Sequence, residues 1–204
     1  MGYSFAKSKS AKKGSKLSGT HFIYSRVLVT GVPGCGKTTL SKLWCKKYGW
    51  KYISLNEIVK TKKLYSKIDS DGARVADLVH LEAEVNRILS KTDKPVIIDG
   101  HLGCDLHLNA ELIIVLRLNP KILKKRLTAR KYSFEKIAQN VEAEILDYCA
   151  ILSGKNYPKL KTFEIDATYK SRTSILNQMK LLLRAKKSRK GANPKIDWSQ
   201  YLLE

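Results

Sequence analysis

Gly31-Val32-Pro33-Gly34-Cys35-Gly36-Lys37-Thr38 satisfies G-x-x-x-x-G-K-[ST] at every fixed position, and its flanks decide the fold. Before it stands Arg26-Val27-Leu28-Val29-Thr30, a short β-branched run that reads as a buried parallel strand. After it, Lys37 to Tyr48 reads as a helix. A strand, a glycine-rich turn and a helix form the setting in which such a loop can act. Gly34 and Gly36 lack a Cβ, so the backbone can wrap a phosphate with its N–H groups turned inward. The helix N-terminus adds a partial positive charge. The expected nucleotide-binding set is Gly34, Cys35, Gly36, Lys37, Thr38 and Thr39. Lys37 is assigned to the β- and γ-phosphates, Thr38 to Mg²⁺ and Thr39 to the vicinity of the α-phosphate. A nucleoside triphosphate is the expected ligand.

Outward from this unit the chain alternates. Lys51-Tyr52-Ile53-Ser54 reads as a second, weaker strand and Pro95-Val96-Ile97-Ile98-Asp99 as a third. Leu112 to Leu116 reads as a fourth and Phe163-Glu164-Ile165-Asp166 as the last. Helices are expected from Asn56, over 74–90, from Asn119-Pro120, along one apolar face of 134–152, and over 173–184. Five strands separated by helices predict a doubly wound α/β fold on a mostly parallel sheet with right-handed crossovers.

Asp99 ends the apolar run Val96-Ile97-Ile98, which places its carboxylate at the C-terminal edge of the sheet, where nucleotides bind. A carboxylate there can hold Mg²⁺ directly or through water, or it can simply end a strand. His101, two residues on, could orient a water or a phosphate oxygen. Arg126 and Arg130 stand i, i+4 on one helix face beside Lys124-Lys125. Such arginines can clamp a migrating phosphoryl group on a mobile element; a solvated basic face is the plainer reading. The expected catalytic set is Lys37, Asp99, His101, Arg126 and Arg130, with Thr38 and Asp99 as the metal-binding pair.

The 204 residues carry 39 Lys plus Arg against 18 Asp plus Glu, a formal charge of +21, which points to a polyanionic partner such as RNA, an anionic membrane or phosphate-rich ligands. Residues 1–25 hold five lysines and no acid, and 180–195 hold seven Lys or Arg and no acid. The first stretch reads as a flexible basic arm, and 185–204 as a basic and aromatic tail that docks on the protein's own core or on a partner. Cys35, Cys45, Cys104 and Cys149 show no pairwise spacing, so reduced thiols in an intracellular protein are expected. No apolar run approaches the ~20 residues that span a bilayer, and no apolar region follows the N-terminal lysines, so neither membrane insertion nor a secretory signal is expected.

The stretches GVPGCGKTTL, VIIDGHLGCD and VLRLNPKILKKRLTARKYSFEKIAQNVEAEI together resemble the adenylate kinase isoenzyme six family, which includes the coilin-interacting nuclear ATPase and archaeal relatives. The resemblance spans about 26–184. It implies a P-loop three-layer α/β/α domain with a five-stranded parallel sheet, a small monophosphate-binding region near 54–77 and a short lid near 129–139. Gly34, Gly36, Lys37, Thr38 and Thr39 match the family's loop, Asp99 and His101 its D-x-H pair, Arg126 and Arg130 its helix arginines, and Lys170 a lysine beside the adenine. The implied activity is transfer from ATP–Mg²⁺ to AMP, together with ATP hydrolysis. The implied biology is small-subunit ribosome maturation, with a platform ribosomal protein (the eleventh of the small subunit) and pre-ribosomal RNA as partners. The corresponding location is cytoplasmic, or nuclear in a eukaryote.

Two positions depart from the family: Lys131 replaces a glycine after the lid arginine, and Leu102 separates His101 from Gly103. Residues 69–77 match the monophosphate region only loosely. Two other readings compete with an adenylate kinase. One is an ATP-gated ribosome-assembly factor in which transfer to AMP is incidental; the other is a small-metabolite kinase on the same fold.

Overall fold

The computed structural model describes residues 22–68, 74–184 and 196–202. Five parallel strands form the central sheet: β1 (Arg26–Thr30), β2 (Lys51–Ser54), β5 (Val96–Asp99), β6 (Leu112–Arg117) and β7 (Lys161–Asp166), in the order β2-β5-β1-β6-β7. β1 lies at the centre because Val27, Leu28 and Val29 are fully buried, as is every residue of β5 and β6. Apolar side chains on both faces require helices on both faces. The α/β reading of the sequence therefore holds, and all five expected strands are present.

Helices α1 (Lys37–Tyr48), α2 (Leu55–Thr61), α3 (Leu78–Ser90), α4 (Pro120–Ala129), α5 (Phe134–Ile145), α6 (Tyr148–Asn156) and α7 (Arg172–Arg184) connect or follow the strands, with α4, α5 and α6 in succession between β6 and β7. The starts of α2, α3, α4 and α5 are marked by side chains that satisfy orphan backbone donors. Ser54 Oγ accepts from Glu57 N at 3.3 Å, Asp77 Oδ1 from His80 N at 3.1 Å, and Ser133 Oγ from Lys136 N at 3.3 Å. Asn119 caps α4 through Lys121 N at 3.0 Å, and Pro120 occupies the first turn, where its missing N–H costs nothing. α1 ends at Gly49 in the left-handed region, φ 72°.

Three expectations are corrected, and one left open, where the tail docks, is resolved. Residues 74–76 belong to a strand, β4 (Arg74–Ala76), which pairs antiparallel with β3 (Tyr65–Ile68), so α3 starts only at Leu78, after its Asp77 cap. The single apolar face over 134–152 is carried by two helices that break at Asp147, φ 56°. There Asp147 Oδ1 accepts from Arg117 Nη2 at 2.5 Å, and this fully buried guanidinium also binds Glu144 Oε1 at 2.7 Å and Glu164. A buried charge demands such partners, and apolar periodicity does not reveal them.

The arm is shorter than 1–25. Phe22 packs 5.3 Å from Trp44 and 5.4 Å from Trp50 (ring centroids), and Ile23 N donates to Leu183 O at 3.0 Å. The rest of the arm lies outside the described residues. Finally, the tail docks on its own chain: Trp198 Nε1 donates to Glu144 Oε1 at 3.1 Å, and Tyr201 Oη accepts from Asn119 Nδ2 at 2.7 Å. Residues 185–195 lie outside the described residues, as do 69–73 of the monophosphate region.

Candidate nucleotide site

The loop Gly31–Gly36 turns between β1 and α1 through three glycines with positive φ: Gly31 (132°), Gly34 (94°) and Gly36 (107°). At Gly31 a Cβ would meet Leu116 O at 2.4 Å, and at Gly34 it would meet Leu123 Cδ1 at 2.9 Å. The loop is thus pressed between β6 and α4, and only glycine fits at these two positions. Lys37 is buried and folds over its own loop, donating from Nζ to Val32 O at 2.9 Å. Cys35 is buried as well; burial raises the pKa of its thiol, so it stays neutral and contributes to the loop through its backbone. All four cysteines are free.

At the C-terminal ends of β1 and β5 the two metal-binding candidates meet. Thr38 Oγ1 donates to Asp99 Oδ2 at 2.8 Å, and Tyr52 Oη donates to the same oxygen at 2.7 Å. Asp99 is 2% exposed, and its Oδ1 has no hydrogen-bond partner among the described residues. Burial, then the bond to Asp99, push the Tyr52 phenol pKa well above its usual value, so Tyr52 remains a donor.

The site fits a magnesium ion held mainly by phosphate and water. It offers two hard oxygens, a free carboxylate oxygen and a threonine hydroxyl, and no group of three or more His, Cys, Asp or Glu able to hold a metal alone occurs among the described residues. Residues present and ion are compatible.

His101 opens a short 3-10 turn, His101–Asp105, directly after the strand. A Cβ on Gly100 would meet Leu55 Cβ at 2.7 Å, and one on Gly103 would meet Leu28 Cδ1 at 2.5 Å, so this turn is pressed onto the core. The His101 carbonyl accepts from Thr30 Oγ1 at 3.2 Å and Cys104 Sγ at 3.1 Å. From α6, Tyr157 Oη donates to Gly103 O at 2.9 Å and Asn156 Nδ2 to Cys104 O at 2.8 Å. The additional Leu102 is absorbed in this turn, partly buried against the core. Burial, then the Lys37 ammonium, lower the His101 pKa to about 4, so the imidazole is neutral at pH 7 and able to accept a hydrogen bond.

Two adjoining cavities share the loop. One, of about 190 Å³, is bordered by Lys37, Thr38, Asp99, His101 and Arg130. The other, of about 330 Å³, lies on the far side of Gly34 and Gly36, bordered by Arg126, Arg130, Lys170 and Arg172. Arg130 borders both, and Thr39 does too. Arg126 Nη1 donates to Gly34 O at 3.4 Å. Every candidate site residue from the sequence therefore lies in or against one of these cavities.

The sequence reading missed Tyr52, Asn56, Tyr132 and Arg172. Tyr52 carries no motif. Its role follows from the register Ser54↔Asp99 and Tyr52↔Ile97 between β2 and β5, which pattern alone does not fix.

The turn after α4 accounts for the departure at Lys131. This residue has φ 59°, the left-handed conformation that glycine adopts most cheaply, and its N donates to Thr128 O at 2.9 Å to close the helix. The stretch expected as a lid, 129–139, consists of the end of α4, the short turn 130–133 and the first half of α5.

Comparison with known proteins places these features in context. The AAA domain profile matches residues 27–147. A Methanocaldococcus jannaschii protein named "Putative adenylate kinase" is 41% identical over 177 residues, covering 86% of this chain and 93% of that one. A Thermococcus gammatolerans protein of the same name is 37% identical over 180 residues, covering 85% and 93%. Among solved structures, shikimate kinase from Acinetobacter baumannii superposes with a TM-score of 0.56 at 13% identity, covering 78% of this chain and 93% of that one. That last likeness establishes the fold, a P-loop α/β/α domain. Among the described residues no helix is long and apolar enough to cross a membrane.

Proposed function

The chain belongs to the family of archaeal proteins named "Putative adenylate kinase", and its nucleotide core to the AAA domains; from that premise we propose that it transfers the γ-phosphoryl group of ATP to AMP, and to water when AMP is absent. The observation that carries this reading is the convergence of Lys37, Thr38, Asp99, His101 and Arg130 on one cavity at the C-terminal edge of the sheet. ATP lies on the 31–39 loop with its adenine toward Lys170, and AMP approaches from the 54–77 side, where Asn56 borders the cavity. The bond between the γ-phosphorus and the β–γ bridging oxygen breaks as an AMP phosphate oxygen bonds to that phosphorus, giving two ADP.

Lys37 leaves its resting bond to Val32 O to meet the phosphates, and Arg126 and Arg130 approach from α4 to offset charge on the transferring group. Thr38 and Asp99 would hold magnesium, which would supply neutralisation of phosphate charge. In the hydrolytic mode the neutral His101 accepts a hydrogen bond from the attacking water. The working units are the core 26–184, the acceptor-binding region 54–77 and the lid 129–139, the α4–α5 turn with the first half of α5, whose closure excludes water during transfer.

Within this family we assign the chain to the isoenzyme six branch, on its D-x-H pair Asp99/His101 and the stretch from Arg130 to Glu144. That assignment brings a role in small-subunit ribosome maturation, with the platform ribosomal protein and pre-ribosomal RNA as partners, in the cytoplasm or nucleus. The +21 charge supports an RNA-facing role, since lysines that neutralise RNA phosphates release counterions. ATP turnover then gates binding and release of the partner.

The test compares ADP formation with and without AMP in the unaltered protein and in His101→Ala. The expected result is AMP-dependent transfer, with hydrolysis lowered about 100-fold in the variant while ATP affinity stays within about threefold. Equal loss of hydrolysis and affinity contradicts the role given to His101, and absence of AMP-dependent transfer contradicts the kinase assignment.

A further inference from the structure

We propose that Tyr52 is a positioning residue for the metal-binding carboxylate: its phenol pins one oxygen of Asp99, so that the other is reserved for the magnesium ion or its water shell. The inference rests on the nucleotide-binding reading given above and assigns a role to a residue that no motif marks.

Three observations carry it. Asp99 Oδ2 accepts from Thr38 Oγ1 at 2.8 Å and from Tyr52 Oη at 2.7 Å, which uses both of its acceptor directions. Oδ1 of the same carboxylate is buried without a hydrogen-bond partner among the described residues. The tyrosine is itself held in place: it leaves β2 at the register position opposite Ile97, and the Lys42 ammonium of α1 lies 5.4 Å from its ring centroid. The two donors thus come from different elements, Thr38 from the first turn of α1 and Tyr52 from β2, which pairs with the strand that carries Asp99.

Thr38 alone holds the carboxylate poorly, because its hydroxyl oxygen is also the group expected to bind the metal. Tyr52 has no such second duty. With the phenol present, the Asp99 carboxylate cannot rotate about its axis without breaking two hydrogen bonds, and Oδ1 stays the open oxygen. With the phenol removed, only the Thr38 bond fixes the carboxylate plane, which is then free to tilt about its axis, and the preset direction of the open oxygen is lost. The expected consequence is loss of magnesium-dependent nucleotide affinity, with little effect on ATP binding by the loop itself.

The test is calorimetric titration of ATP, with and without Mg²⁺, into the unaltered full chain and into Tyr52→Phe. The readout is the ratio of the two affinities within each protein; a smaller folded fraction in the variant lowers both affinities equally and cancels. The expected result is a magnesium-dependent gain reduced about tenfold in Tyr52→Phe, with metal-free ATP affinity within about twofold of the unaltered protein. An unchanged gain overturns the inference, and so does a fall of both affinities in parallel. An unaltered protein that binds ATP without any response to Mg²⁺ overturns it too. An unaltered protein that binds no ATP in either condition overturns the nucleotide-binding reading and the inference with it.

Discussion

Thr38 and Asp99, 61 residues apart in sequence, meet at 2.8 Å across the C-terminal ends of β1 and β5. The contact joins the first turn of α1 to the end of a buried strand, and it exists because β1 and β5 are adjacent and parallel, with Val29 opposite Asp99. A hydroxyl and a carboxylate so placed provide hard oxygens for a cation beside the phosphates. Asp99→Asn keeps the shape and removes the charge. The expected outcome is turnover of Mg·ATP lowered about 100-fold, with metal-free ATP binding retained. A magnesium titration of the initial rate measures the first, and calorimetric titration of metal-free ATP the second.

His101 links the site to pH. Its pKa falls from 6.5 to about 4 on folding, so between these values the unfolded chain binds a proton that the folded protein refuses. Its contribution to stability is therefore complete above pH 6.5 and is lost as pH drops toward 4, by at most about 3 kcal/mol. His101→Ala is expected to flatten the pH dependence of the melting midpoint over that interval, as measured by calorimetric scans at a series of pH values. An unchanged slope contradicts the burial argument.

Lys131 adopts φ 59° where the chain leaves α4. A side chain in this region costs about 1 kcal/mol relative to glycine. Lys131→Gly is expected to raise the melting midpoint by about 2–4 °C. Because the turn lies beside Arg130, the same variant tests the lid: a freer hinge changes kcat and KM together.

Much of this is legible in the sequence. The loop 31–38 names its own neighbours, since a G-x-x-x-x-G-K-T turn has meaning only between a buried strand and a helix; Val27–Val29 and Leu40–Cys45 supply them. Asp99 was readable because three apolar residues precede it at a strand's end. What could not be read depends on register and on buried charge. Tyr52 is an ordinary strand aromatic until the pairing Ser54↔Asp99 brings its hydroxyl to the carboxylate. Arg117 ends an apolar strand like a surface residue, yet it is buried among Glu144, Asp147 and Glu164, and that cluster divides one expected helix into two. The β3–β4 hairpin escaped because three residues, Arg74–Ala76, are too few to show alternation.

The same cluster receives the tail. Trp198 is 9% exposed and donates to Glu144 Oε1, the oxygen that also accepts from Arg117 Nε and Leu118 N. Trp198→Ala removes a large buried ring and one donor from a buried carboxylate. The expected loss is about 3 kcal/mol, a fall in melting midpoint of about 6–12 °C. Thermal unfolding followed by circular dichroism measures it, and kcat at 25 °C is expected to stay near that of the unaltered protein.

The most direct test of the whole account is calorimetric titration of Mg·ATP into the folded full chain, with Lys37→Ala alongside. The account predicts saturable binding at one site per chain, and a large loss of affinity when the Lys37 ammonium is removed. A folded protein that gives no heat with Mg·ATP, or a Lys37→Ala variant that binds it as tightly as the unaltered chain, contradicts the account.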